Sequence, residues 1–255
     1  MTRPRGWAAW NPHKKTRTKL EQVNEILLDN AEYLPLSLRQ IFYLGVSAYD
    51  WPKTENEYSS LLDKMNRARR AGLIDFDAIR DDGITQKRAV VYDDAHGLIS
   101  VIGYSVRNFR LDPMLMQPRD VVVWTEGKGL VPMVQGFVEE YALEVISSGG
   151  FDSLTLKKQM ADRFSGRPGI VLHLGDYDPS GGVMFRALEE DVQAFGGNVE
   201  FHRLGVTLEQ IEEWSLPTKK VKRKGNSHAA NFEGDWTVEL EAIPPQRLRG
   251  LLDDA

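Results

Sequence analysis

Apolar residues recur at helical spacing through the N-terminal part of the chain. From Thr16 to about Tyr33, Leu20, Val23, Ile26, Leu27 and Leu28 mark one face of a helix, which Leu34-Pro35 closes. A second helix is predicted to start at Ser37, a capping residue, with Leu38, Ile41, Phe42, Gly45 and Tyr49 as its apolar positions. A third runs from Thr54 or Glu55 to Ala71, with Tyr58, Leu61, Leu62, Met65 and Ala68 on one face and Gly72 as the stop. The β-prone run Arg88-Ala-Val-Val-Tyr92 follows. Three short helices and then a strand predict a helix-turn-helix with a wing, although any small helical bundle has the same periodicity.

After Asp112-Pro113 the pattern changes to short apolar strands alternating with amphipathic helices. The predicted strands are Val121–Trp124, Leu143–Ile146, Gly169–Leu174 and Val199–Val206; the helices are Leu130–Tyr141, Ser153–Phe164 and Gly181–Phe195. That alternation indicates an α/β fold built on a mostly parallel, Rossmann-like sheet covered on both faces. The expected division is therefore a basic arm and winged-helix-like domain over 1–111, then a sheet domain with a C-terminal extension over 112–255. The extension carries a basic loop, Lys219–Lys224, the stretch Trp236–Ile243 and a terminal helix from Pro245.

With 255 residues, 42% of them hydrophobic and 27% charged, the chain can bury one large core or two small ones, and its composition is not that of a disordered protein. No run approaches the roughly 18 consecutive apolar residues of a membrane span, and MTRPRGWAAWNPHKK has no signal-peptide core. A cytoplasmic location without a membrane partner is expected. The absence of cysteine excludes disulfides, thiolate metal sites and a cysteine nucleophile; five histidines without close spacing leave carboxylates as the expected metal ligands. Charge is uneven: residues 1–111 hold 17 Lys+Arg against 14 Asp+Glu (+3), and 112–255 hold 15 against 23 (−8). Arg3, Arg5, Lys14, Lys15, Arg17 and Lys19 meet no acid before Glu21, a pattern that suits nucleic acid or a merely solvated tail.

Sites in parallel α/β sheets form beyond the carboxyl ends of the strands, and two of these ends are acidic. One reads Val-Val-Val-Trp-Thr-Glu126-Gly-Lys128-Gly, the other His-Leu-Gly-Asp176-Tyr-Asp178-Pro-Ser-Gly-Gly182. Residues i and i+2 of extended backbone share a face, so Asp176 and Asp178 present two carboxylates together, with Asp178 also placed to cap the next helix. Three converging carboxylates repel one another unless a divalent cation neutralises them, and Mg2+ (with Mn2+ as a substitute) suits such a set and points to phosphoryl chemistry. The set resembles the TOPRIM domain of topoisomerases, primases and related nucleases. The resemblance implies that Glu126 is a metal ligand or general acid/base and that Asp176 and Asp178 bind magnesium. Lys128 contacts phosphate or is simply solvated.

The second predicted helix reads Leu36-Ser-Leu-Arg39-Gln-Ile-Phe-Tyr43. On its wheel Tyr43 lies more than about 100° from the apolar face, so it is expected to be presented rather than buried, with Arg39 one turn earlier on the same side. A phenol with pKa near 10 needs such a positive neighbour to act as a nucleophile at neutral pH. This segment resembles the Arg-x-Ile-(Phe/Tyr)-Tyr motif of the topoisomerase VI A subunit and of the meiotic double-strand-break transesterase, and the chain length resembles that of reduced "mini-A" relatives. The resemblance implies a winged helix followed by TOPRIM, attack of Tyr43 on double-stranded DNA, a homodimer and a separate ATPase subunit for any strand passage. Arg67, Arg69 and Arg70 are candidate DNA contacts, as solvated arginines would equally be; Lys219–Lys224 has the same two readings. Tyr49, Tyr58 and Tyr104 are fallback nucleophiles, His173 is expected to be packed inside its strand, and Trp7 and Trp10 stack on bases or anchor a partner. The rivals are a TOPRIM nuclease that hydrolyses DNA with water and a non-catalytic DNA-binding module.

Overall fold

The computed structural model describes residues 7–80, 90–147, 154–221, 232 and 234–255. The N-terminal part contains α1 (Lys14–Asp29), the two-residue strand β1 (Leu36–Ser37), α2 (Leu38–Tyr49), α3 (Glu55–Arg70) and β2 (Ile79–Arg80), which pairs in parallel with β1. Ser37 caps α2 through a capping box: its hydroxyl accepts from the Gln40 N–H, and the Gln40 side chain accepts from the Ser37 N–H. Gly72 follows α3 at φ +68°, the left-handed conformation expected of a helix stop. Next comes α4 (Ala95–Arg107), a helix the sequence reading did not include. Val90–Tyr92 carries no strand; Arg88 and Ala89 lie outside the described residues, as do Arg3 and Arg5 of the basic arm.

The remainder holds β3 (Asp120–Thr125), α5 (Val131–Val138), β4 (Glu144–Ser147), α6 (Leu154–Arg163), β5 (Gly169–Leu174), α7 (Pro179–Ala194), β6 (Val199–Gly205), α8 (Leu208–Glu213), the short antiparallel pair β7 (Lys219–Lys220) and β8 (Trp236–Thr237), and α9 (Pro245–Asp253). The four long strands form a parallel sheet in the order β4-β3-β5-β6, so the fold is α/β and compatible with a Rossmann-like domain. Alternation along β3 fixes its two faces. Val122 and Trp124 pack with Phe164, Val171, Leu188 and Val192 on one side. Val123 faces the other side, where Leu130, Val134, Leu174 and Leu248 share a continuous core with Leu20, Val23, Ile41 and Leu61 of the helical part. No helix among the described residues is long and apolar enough to cross a membrane.

That shared core corrects one expectation. Tyr43 is only 3% exposed, and Gln40, Ile41, Phe42 and Gly45 of the same helix are buried with it. One face of α2 meets α1 and α3 as its periodicity indicates; its other side is covered by the segment around Val238–Ile243. A helical wheel detects a single apolar stripe and carries no information about a second cover supplied from the far end of the chain.

Candidate active site

Glu126 and Asp176 follow β3 and β5, neighbours in the sheet, so parallel pairing alone brings the two strand ends together. The Asp176 N–H donates to Glu126 Oε2 at 3.0 Å, tying the two ends directly. Gly175 between them is required by space: a Cβ there would stand 2.5 Å from the His173 ring and 2.8 Å from the Glu126 carboxyl. Asp178 caps α7, its Oδ1 accepting from Ser180 N at 2.8 Å and Gly181 N at 2.6 Å, as the Asp-Pro-Ser turn predicts. Tyr177 and Val238 exchange backbone hydrogen bonds of 2.8 and 2.9 Å, an antiparallel bridge that lays the C-terminal segment alongside the acidic loop. Leu240 N then donates to Asp176 Oδ1 at 2.8 Å.

This bridge adds two carboxylates that the sequence reading passed over, Glu239 and Glu241. Glu126, Asp176, Asp178, Glu239 and Glu241 line one cavity of about 510 Å3, together with Arg39, Lys219 and Lys220. The available signal was the Glu239-Leu-Glu241 alternation, the same i, i+2 spacing as in Asp176 and Asp178. Arg39 reaches the cavity from α2 and forms an ion pair with Glu239. Arg203 of β6 donates to the backbone oxygens of Asp176 (2.6 Å) and Gly175 (3.2 Å), placing a guanidinium beneath the acids.

Burial dominates the electrostatics. It pushes the Glu126 carboxyl up to about 7, with nearby Asp176 adding to the rise against the hydrogen bond from the Asp176 N–H. Asp176 is likewise pushed up to about 7 by burial and then by Glu241. Glu126 Oε1 is buried without a hydrogen-bond partner, its nearest basic atom being His173 Nε2 at 3.7 Å. His173 is packed within β5 as expected, and burial, followed by the charge of Arg203, depresses its imidazole to about 3.

Tyr43 lies next to this cavity in a smaller pocket that shares Arg39, Lys219 and Glu239. Burial raises its phenol above the ordinary range, and the negative charge of Glu239 raises it further. The Lys53 ammonium lies 4.9 Å from the ring centroid, and burial lowers that amine to about 8.

The structure therefore gathers Arg39, Glu126, Asp176 and Asp178, with Tyr43 adjoining. It does not bring the other candidates there. Arg69 is only 8% exposed and donates to the carbonyls of Phe76 (2.8 Å) and Ile79 (3.0 Å), so it braces the fold, and its use as a DNA contact is corrected on that ground. Arg67 and Arg70 line a separate groove with Trp10, and the Arg67 guanidinium stands 5.7 Å from the Trp10 ring centroid. Lys128 is exposed at the start of the turn after Gly127. Trp7 is exposed beside Phe76. Among the fallback tyrosines, Tyr49 donates to Glu25 at 2.6 Å, Tyr58 packs on Phe42, and Tyr104 is exposed on α4.

Among the described residues, no three or more histidine or carboxylate groups are arranged to hold a metal ion as the side chains stand. The donor chemistry nevertheless fits magnesium: hard oxygens in one cavity, a buried Glu126 oxygen lacking a partner, and two acids whose ionisation burial opposes. Magnesium keeps several waters and needs only one or two carboxylates from the protein. No family model and no curated protein matches the chain.

Proposed function

We propose that this protein cleaves DNA strands by tyrosine transesterification with a divalent cation, in the manner of a topoisomerase VI A subunit, on a winged-helix module followed by a TOPRIM-type sheet. The observation that carries this proposal is that Arg39, one helical turn before Tyr43, lines the same cavity as Glu126, Asp176 and Asp178. The residues that would hold a magnesium ion are Glu126, Asp176 and Asp178. Bound there, the ion supplies positive charge against the negative charge that builds on phosphorus and on the leaving oxygen.

The chain's own groups have distinct parts in this chemistry. Arg39 binds a phosphate oxygen and orients the phosphodiester. The Tyr43 phenolic oxygen forms a bond to phosphorus as the bond to a deoxyribose oxygen breaks. Glu239, which lines the same small pocket as the phenol, takes the phenolic proton. The leaving oxygen takes its proton from solvent and returns it on religation, because Glu126 is ionised when it holds the cation. One phosphoester replaces another, so resealing needs no ATP; strand passage would require a separate ATPase subunit. Cutting both strands of a duplex requires two copies of the chain.

A second reading, hydrolysis by metal-activated water with Tyr43 incidental, is favoured by the burial of Tyr43, which DNA reaches only after its cover moves. Product chemistry separates the two. End-labelled duplex is incubated with Mg2+ or Mn2+, denatured, and resolved with and without protease for the wild type, Tyr43→Phe and Asp176→Asn. Transesterification requires protease-sensitive, protein-linked ends from the wild type and none from either variant. Protein-free ends that persist in Tyr43→Phe and vanish in Asp176→Asn would establish hydrolysis instead.

A further inference from the structure

We infer that Arg203 is a positioning residue for the divalent cation, holding the backbone of the Asp176–Asp178 loop from beneath so that its carboxylates converge on the ion. The inference rests on the reading of Glu126, Asp176 and Asp178 as cation ligands. β6 pairs with β5 residue for residue as far as His173 and Arg203, after which Leu174 pairs with Gly205, so Leu204 is an extra residue in β6. Such a bulge bends its strand and re-aims a neighbouring side chain, and bulges recur beside active sites. Here the side chain beside it is Arg203, whose Nη2 donates to the carbonyls of Asp176 (2.6 Å) and Gly175 (3.2 Å).

Asp176 is thereby gripped from three directions. Its N–H donates to Glu126 Oε2 beyond β3 (3.0 Å), its Oδ1 accepts from Leu240 N of the C-terminal segment (2.8 Å), and its carbonyl accepts from Arg203 of β6. A Cβ on Gly181 would stand 2.5 Å from that carbonyl, so the first turn of α7 closes over it. Charge alone argues against an arginine in this place, because it faces Glu126, Asp176 and Asp178 and repels a cation held by them. Its Nη1 is buried without a partner, and so are Glu126 Oε1 and His173 Nδ1; the Phe185 ring lies 4.7 Å from the His173 ring and 5.9 Å from the guanidinium. Buried polar atoms left unpaired cost stability, and a brace serving stability alone would not gather three of them. What the arginine adds over a packed apolar side chain is its hold on the loop carbonyls.

Calorimetric titration of the full, metal-free chain with Mn2+ at pH 8 tests it. Removing a nearby positive charge by itself tightens cation binding, whereas losing the hold on the loop weakens it, so the sign of the change decides. Arg203→Met is expected to raise the Mn2+ dissociation constant about 10–100-fold with the circular dichroism retained, the usual effect of losing a partner just outside a metal's ligands. Arg203→Lys, which keeps a donor under the loop, is expected to recover most of that loss. Leu204→Ala removes apolar packing from the same strand and is expected to lower the melting temperature without changing the dissociation constant. A dissociation constant unchanged or lowered in Arg203→Met, a lysine variant as weak as the methionine one, or an equal loss in Leu204→Ala would overturn the inference alone. A wild type that binds no Mn2+, or binding that persists in Asp176→Asn, would overturn the cation reading and the inference with it.

Discussion

Replacing Glu126 by Gln should stabilise the metal-free protein while abolishing its chemistry. The Glu126 side chain is 11% exposed, and its carboxyl is pushed from 4.5 up to about 7. A group whose folded pKa lies above its unfolded value favours folding below the unfolded pKa, and that contribution is lost as pH rises through the folded one. Wild-type stability should therefore decline between about pH 4.5 and 7 from this residue alone. A shift of that size corresponds to about 3 kcal/mol at pH 8. Glutamine keeps the shape and an acceptor for the Asp176 N–H but carries no charge to bury. In urea titrations with EDTA, Glu126→Gln should gain up to about 3 kcal/mol over wild type at pH 8 and nothing near pH 4.5. Such a gain paired with lost activity is the signature of a site strained for function. A Glu126→Gln variant that is less stable than wild type at pH 8, or a difference that does not change with pH, would refute the claim that this carboxylate is buried against its own charge.

The other expectations concern the cation, the corrected arginine and the helix behind the tyrosine. Because protons on Glu126 and Asp176 compete with a cation up to about pH 7, the rise in melting temperature caused by Mg2+ or Mn2+ should grow from pH 6 to pH 8; a flat profile would place the cation elsewhere. Arg69→Leu should cost about 2–4 kcal/mol of stability by stranding the carbonyls of Phe76 and Ile79, whereas Arg67→Ala should change stability by less than about 0.5 kcal/mol; equal effects in urea melts would contradict the assignment. Gly45→Ala should lose at least about 1–3 kcal/mol, since a Cβ there would lie 2.2 Å from the Trp51 ring, and an unchanged melting temperature would show that α2 and Trp51 are less closely packed than described.

Local signals were the ones legible in the sequence. Ser37, Gly72, Asp178 before Pro179 and the apolar runs of β3, β5 and β6 each encode their conformation within a few residues, and the structure places all of them within a residue or two of expectation. The approach of Glu126 to Asp176 was legible too, because adjacent parallel strands bring their carboxyl ends together. Tyr43 shows where this reasoning stops. Glu239, which shares a pocket with its phenol, pairs with Arg39 at a separation of 200 positions, and no periodicity in α2 reports a cover from that far along the chain. Arg69 misled for a similar reason: three arginines near the end of α3 look alike until the carbonyls beyond Gly72 fold back onto one of them. Glu239 and Glu241 were readable in principle, but without glycines or a long apolar strand beside them nothing local marked their alternation as a site.

The most direct test of the central claim is mass spectrometry of the protein after reaction with DNA and a divalent cation, denaturation, nuclease trimming and proteolysis. Tyrosine transesterification at this cavity predicts a nucleotide remnant on the peptide containing Tyr43 and on no other tyrosine, and its loss in both Glu126→Gln and Asp176→Asn. Cleaved DNA accompanied by an unmodified Tyr43 peptide, or a remnant on Tyr49, Tyr58 or Tyr104, would contradict it.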